Sequence, residues 1–184
     1  MLMEKRSVVT SENFHGKVPL AEEAGQIEWA ITWPEYGEGS ISSYTNTVPT
    51  PQGGTHESGV RAALLKGIKA YGELVGNKKA SSLTGDDIFN GACVIISLFI
   101  KNPQFQGQTK DRLNNPEVQS VVEGAVRPAM EQWMNENHSI ADAVIARIIA
   151  AARARAASRA ASEAVSRKGG SKRTMLPGKL SDCV

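Results

Sequence analysis

Gln26–Trp33 reads QIEWAITW, and its alternation decides the class of fold. Ile27, Trp29, Ile31 and Trp33 fall on one side of an extended chain, and Gln26, Glu28, Ala30 and Thr32 on the other. A period of two with the large apolar residues on one side is the pattern of a half-buried β-strand. On the C-terminal side, Pro34–Gly39 reads as a turn and Ile41–Val48 (ISSYTNTV) as a second strand. The two strands are expected to form an antiparallel hairpin. Phe14–Leu20 is expected to add an edge strand.

The next segment, PTPQGGTHE at Pro49–Glu57, ends the strand with two prolines and two glycines. Thr55 is expected to cap a helix, with Glu57 in its first turn facing the positive end of the helix dipole. Val60, Leu64, Ile68, Tyr71 and Val75 share one helical face, and Gly76–Asn77 stops it. Thr84 is expected to cap a short turn over Gly85–Phe89, which makes Asp86 and Asp87 first-turn acids rather than a paired catalytic site. Ala92–Ile100 is a continuous apolar run, read as a central strand. Asn115 and Pro116 open a further helix with Val118, Val121, Val122, Ala125, Met130 and Trp133 as its stripe. Asn135–His138 interrupts it, and Ile140, Val144 and Ile148 begin an alanine-rich helix to about Lys168. Strands come mostly first and long helices afterwards, so the class is α+β. Trp29, Trp33 and Trp133 are assigned to the core.

With 184 residues, 41% of them hydrophobic, the chain suits one domain with an appendage. Its net charge of +2 is unevenly placed. Ser139–Arg173 holds eight basic and two acidic residues, a local +6 that leaves −4 for the rest. Cys93 and Cys183 lie far apart, Cys93 within an apolar run, which suits free thiols and a reducing cytoplasm. No apolar run is long enough to span a bilayer. His15, His56 and His138 are scattered without metal-ligand spacing, so no metal is expected here.

The loop PQFQGQTK, Pro103–Lys110, presents Gln108, Thr109 and Lys110 after the central strand. An ammonium on a flexible stem beside an amide donor suits phosphate oxygens, although most such triplets, taken alone, are ordinary solvated surface. Three stretches taken together are more specific: YTNTVPTPQGGTHESGVRAAL (Tyr44–Leu64), NPQFQGQTKDRL (Asn102–Leu113) and LPGKLSDC (Leu176–Cys183). In that order and spacing they closely resemble the second domain of the B subunits of bacterial type IIA DNA topoisomerases, over nearly the whole chain. GELVGNKKA (Gly72–Ala80) and Glu131–Trp133 resemble the topoisomerase IV branch more than the gyrase branch.

The resemblance implies a transducer domain with a ribosomal protein S5 domain 2-like fold: a mixed sheet with helices on one side, plus the long C-terminal helix. It implies boundaries at 7–136 for the transducer, 137–173 for a basic helix and linker, and 174–184 for the opening of a Toprim domain. It further implies an N-terminal ATPase domain before the segment, and a homodimer of B subunits acting with the topoisomerase A subunit on DNA. ATP and Mg2+ would serve the parent enzyme, with neither bound by this segment alone. Gln108 and Lys110 match residues that touch the terminal phosphate, with Lys110 its sensor. Arg61 matches an arginine facing the cavity through which DNA is thought to pass. For Arg153, Arg155 and Arg159 two readings stay open: a solvated linker face, or a sequence-independent DNA-facing surface.

Overall fold

A computed structural model describes residues 7–20, 25–37 and 39–169, with side chains to residue 164. LPGKLSDC, and with it Cys183, lies outside the described residues. The alternating strand forms as β2, Gly25–Thr32, and the expected edge strand as β1, Phe14–Pro19. β3 is Ser40–Thr45, β4 Val48–Pro49 and β5 Cys93–Ile100. The sheet order is β1-β2-β5-β3-β4. β5 pairs antiparallel with β2 and parallel with β3, so the sheet is mixed.

The expected hairpin between β2 and β3 is not formed, because β5 lies between them. β5, CVIISLFI, is far more apolar than β3, SISSYT. A central position lets it pair along its length with both neighbours and bury Val94, Ile96 and Leu98 against the helices. Trp33–Gly39 is long enough to cross to the far side of that strand. The tight hairpin is instead internal to ISSYTNTV: β3 turns into β4 through Asn46 and Thr47 at φ 49° and 66°. Positive φ at both central residues is the twist that two-residue hairpins need.

Core side chains fall on one sheet face. Ile27, Trp29 and Ile31 on β2 stand opposite Leu98, Ile96 and Val94 on β5, and all six are buried. The other face carries Ala30 and Ile95, the latter 43% exposed. The covering helices are α1, Thr55–Leu74, and α3, Pro116–Glu136, with the short α2, Gly85–Phe89, beside them. The α1–α3 contact is close because small residues face it: a Cβ on Gly67 would stand 2.9 Å from Met130 Cγ. Phe14 stacks obliquely on both Trp29 and Trp133, at 5.5 and 5.4 Å between centroids, fastening β1 to α3.

Several local expectations shift. Thr55 does not cap α1; Gly54 holds that position and the Thr55 hydroxyl is buried without a partner. Val75 lies beyond the helix and is 44% exposed, since Gly76 at φ 71° has turned the chain. On α3, Val126 and Met134 are buried where Val121 and Ala125 are only half-buried. Cys93 is half-buried, being on the open sheet face. Thr84 caps α2 in a reciprocal capping box with Asp87.

The last helix, α4, is His138–Gly169. The chain divides into two compact units, Met1–Ala151 and Ala152–Val184. In the first, Ala141, Val144, Ile145 and Ile148 are buried, and Arg147 Nε donates to the Pro34 carbonyl at 3.0 Å. In the second, Arg153 and Arg159 are exposed and Arg155 is half-buried.

Candidate functional site

After β5 the chain forms a small hairpin, β6 (Phe105–Gln106) against β7 (Arg112–Leu113). Gly107 at φ 78° turns the chain, and Gln108, Thr109 and Lys110 form the tip, all exposed. Lys110 itself has φ 58°, a left-handed conformation that costs a non-glycine residue about 1 kcal/mol. Its ammonium lies 5.9 Å from the Phe105 ring centroid, a weak cation–π contact that leaves the charge solvated. An exposed ammonium beside an exposed carboxamide is chemically able to take a phosphate group held by another body.

The base of this arm is fixed at three places. At its root, Asn46 Nδ2 donates to the Ile100 carbonyl at 2.8 Å, and the Ile100 N–H donates back to Asn46 Oδ1 at 2.9 Å. Further along, Asn115 Oδ1 accepts from the Gln104 N–H at 2.7 Å, while Asn115 Nδ2 donates to the Asn102 carbonyl at 3.2 Å. On the returning strand, the Gln52 N–H donates to the Asp111 carbonyl at 2.9 Å and the Leu113 N–H to the Gly53 carbonyl at 3.1 Å. Gly54 also bridges Leu113 in parallel. The PQGG segment is therefore a turn bonded to the returning strand of the arm, and it leads directly into α1.

Behind that segment lies a buried polar chain. His56 is fully buried, and its Nε2 is 3.2 Å from Thr50 Oγ1. Ser43 Oγ donates to the Thr50 carbonyl at 3.0 Å and lies 2.9 Å from Thr50 Oγ1. Ser43 has one hydroxyl proton and commits it to that carbonyl, so Thr50 donates to Ser43 and His56 must donate from Nε2. Nδ1 is then the bare nitrogen, buried without a partner. Protonating it would bury a charge with no acceptor, and burial lowers the imidazole pKa to about 4.

Arg61, on α1, is occupied within the fold. Its guanidinium pairs with Asp86 and, at 3.4 Å, with Glu57, and lies 4.4 Å over the Phe89 ring. Its side chain remains 32% exposed, so a DNA phosphate would compete with two carboxylates for it. Among the described residues no three His, Cys, Asp or Glu side chains converge on a possible metal position. No described helix is long and apolar enough to cross a membrane. The sequence points to the tip but not to its braces: Asn46 reads there as a mid-strand residue and Asn115 as a helix cap.

The family model described as DNA gyrase B matches residues 1–164. The B subunit of DNA topoisomerase 4 from Caulobacter vibrioides is 45% identical over 182 residues, covering 97% of this chain and 26% of the relative. The B subunit of DNA gyrase from Mycolicibacterium smegmatis is 38% identical, covering 93% of this chain and 25% of that protein. The chain thus spans about a quarter of the length of these curated relatives. Among solved structures, the 43K ATPase domain of Thermus thermophilus gyrase B in complex with an aminocoumarin superposes with a TM-score of 0.75 at 29% identity, over 88% of this chain and 43% of that one. The topoisomerase IV ATP binding domain of Francisella tularensis gives 0.72 at 32% identity, over 80% of this chain and 41% of that one. With a mixed sheet, helices on its buried face and these matches, the chain belongs to the DNA gyrase B family and corresponds to one stretch of a type IIA DNA topoisomerase B subunit.

Proposed function

We propose that this chain is the transducer of a topoisomerase IV-like B subunit, coupling ATP binding and hydrolysis to DNA strand passage, relaxation and decatenation. The transducer domain is 7–136, the basic helix and linker 137–173, and the approach to a Toprim domain 174–184. The single observation that carries this is the arm: Gln108 and Lys110 exposed at the tip of a hairpin whose base is fixed by backbone pairing and two asparagines.

Lys110 reaches a nucleotide held by the neighbouring ATPase domain and neutralises charge that develops on the transferred phosphoryl group. Gln108 donates its amide to the same terminal phosphate. Both side chains suit ATP phosphate oxygens; Mg2+ would spread the phosphate charge, and its ligands belong with the ATPase domain. When the phosphate leaves, the arm loses charge-assisted contacts and the two domains are free to change their relation. The working assembly is a cytoplasmic, chromosome-associated homodimer of B subunits with A subunits and DNA, and the isolated segment is inactive towards ATP.

The test is Lys110→Ala in an intact B subunit carrying these residues. ATP hydrolysis should fall at least tenfold while nucleotide binding changes little; unchanged turnover would remove the phosphate-sensing role. A second reading, favoured by the exposure of Arg153 and Arg159, adds a sequence-independent DNA contact on α4, with Arg155 and Arg61 as further candidates. Negative supercoiling by a gyrase-type enzyme is the alternative activity, since relatives of both names match this chain.

A further inference from the structure

Asn115 stands at the first position before α3, with Pro116 following, yet its side chain makes no cap bond to the helix. A buried carboxamide at an N-cap position ordinarily accepts from an N–H of the first turn. This one turns away. It is 3% exposed, and all its hydrogen bonds but one go to the backbone of the arm. The oxygen takes the Gln104 N–H at 2.7 Å; the nitrogen reaches the Asn102 carbonyl at 3.2 Å and Glu117 Oε1 at 2.8 Å. The orientation is fixed by this network, because a backbone N–H needs the oxygen and a carbonyl needs the amide nitrogen. Next to it, the Asn114 N–H donates to the Gln104 carbonyl at 2.8 Å.

These bonds straddle the whole arm. Asn102 and Gln104 lie on the outgoing side and Asn115 at the end of the returning side, so the carboxamide joins the two where β6 and β7 begin and end. β6 and β7 are only two residues each and cannot hold a long exposed tip by their own pairing. The helix gives up its side-chain cap so that this clamp exists.

We infer that Asn115 is a positioning residue for the phosphate contact, fixing the arm so that Gln108 and Lys110 meet the nucleotide in register. This rests on the phosphate-sensing role given above. Asn115 touches no nucleotide itself. It sets the angle at which the arm leaves the fold, and a shift of about 1 Å at a reacting group costs on the order of a hundredfold in rate. Asn46 holds the root at Ile100 and the glycine segment holds β7, so losing Asn115 loosens the arm without detaching it.

The experiment compares steady-state ATP hydrolysis by an intact B subunit carrying these residues, with its A subunit and DNA, in four forms: unchanged, Lys110→Ala, Asn115→Ala and the double variant. Asn115→Ala should lower kcat about tenfold with KM for ATP within a factor of two. Its further effect should shrink to about twofold or less once Lys110 is gone, since only the Gln108 contact is then left for the clamp to aim. Were the Ala variant unfolded at the assay temperature, Asn115→Asp carries the test. That variant keeps the acceptor for Gln104 but loses both donations and sets a carboxylate against Glu117, so kcat should fall severalfold. Lys110→Ala impaired with Asn115 variants inert, or an Asn115 loss of equal size in both backgrounds, would overturn the positioning role and leave the phosphate contact standing. Unchanged turnover in Lys110→Ala would overturn the phosphate contact and this inference with it.

Discussion

Gly54 lies so close to Leu113 that a Cβ on it would stand 2.4 Å from the Leu113 carbonyl oxygen and 2.7 Å from its nitrogen. Its φ of 142° is one that side-chain-bearing residues rarely adopt. This contact joins the arm to the start of α1, so neither segment can move aside without breaking the pairing of Gly53 with Leu113. Gly54→Ala is expected to destabilise the chain by about 3 kcal/mol or more. Gly53 is the comparison. It sits at φ 68°, but an added Cβ there meets only the Glu57 carboxylate, which can swing away. Gly53→Ala should cost about 1 kcal/mol, the left-handed strain alone. Urea unfolding of the two variants checks this; equal losses would refute the close-approach account.

Thr47 carries strain that the fold does not need. A β-branched residue at φ 66° is held there by the two-residue turn, with its hydroxyl donating only to the adjacent Asn46 carbonyl. Thr47→Gly should raise stability by roughly 0.5–1 kcal/mol, because Asn-Gly is the favoured pair for this turn. Asn46→Gly should do the reverse: it accepts the conformation but forfeits both bonds to Ile100. A thermal melt showing Thr47→Gly below the parent would contradict the assigned turn.

The two faces of β2 and the central place of β5 were legible because alternation and a long apolar run are local signals, carried by QIEWAITW and CVIISLFI. The order of the strands was not. Whether β3 pairs with β2 or β5 depends on a partner some fifty residues away, which no local window contains. The same limit hid the arm's braces. Asn46 and Ile100 are 54 residues apart, and nothing near Asn46 announces its partner. Asn115 does stand at the start of α3, as its sequence context suggests, but its carboxamide could serve either the helix or the arm, and only the fold decides between them. The Gln108–Lys110 tip was legible from its resemblance, whereas the engagement of Arg61 by Asp86 and Phe89 was not.

His56 makes stability depend on acidity. Burial lowers its pKa from the usual 6.5 to about 4, so as pH falls the unfolded chain takes up a proton before the folded one does. Stability from this group is complete above about pH 6.5, drains away between 6.5 and 4, and falls no further below that. The loss amounts to about 3 kcal/mol over the window. His56→Gln keeps a donor towards Thr50 but cannot titrate. It should be less stable than the parent at pH 7, and the gap should narrow by about 2–3 kcal/mol at pH 4.5. A gap constant with pH, measured by urea unfolding at both values, would mean that His56 is protonated in the folded chain.

Arg153 and Arg159 decide between a solvated helix and a DNA surface. Both are exposed, whereas Arg155 is half-buried and has an interaction of its own, so the two exposed residues are the clean substitutions. An arginine that neutralises a DNA phosphate releases about 0.9 of a counterion, and the slope of log affinity against log salt reports the sum. In an intact B subunit, Arg153→Gln with Arg159→Gln should flatten that slope by nearly two and weaken binding equally for unrelated duplex sequences. The equality matters as much as the slope. No aromatic side chain interleaves these arginines, so nothing on this stretch of α4 can stack on a base. A slope unchanged within error, with ATP-dependent strand passage intact, would return this part of α4 to a strut with a charged, solvated face.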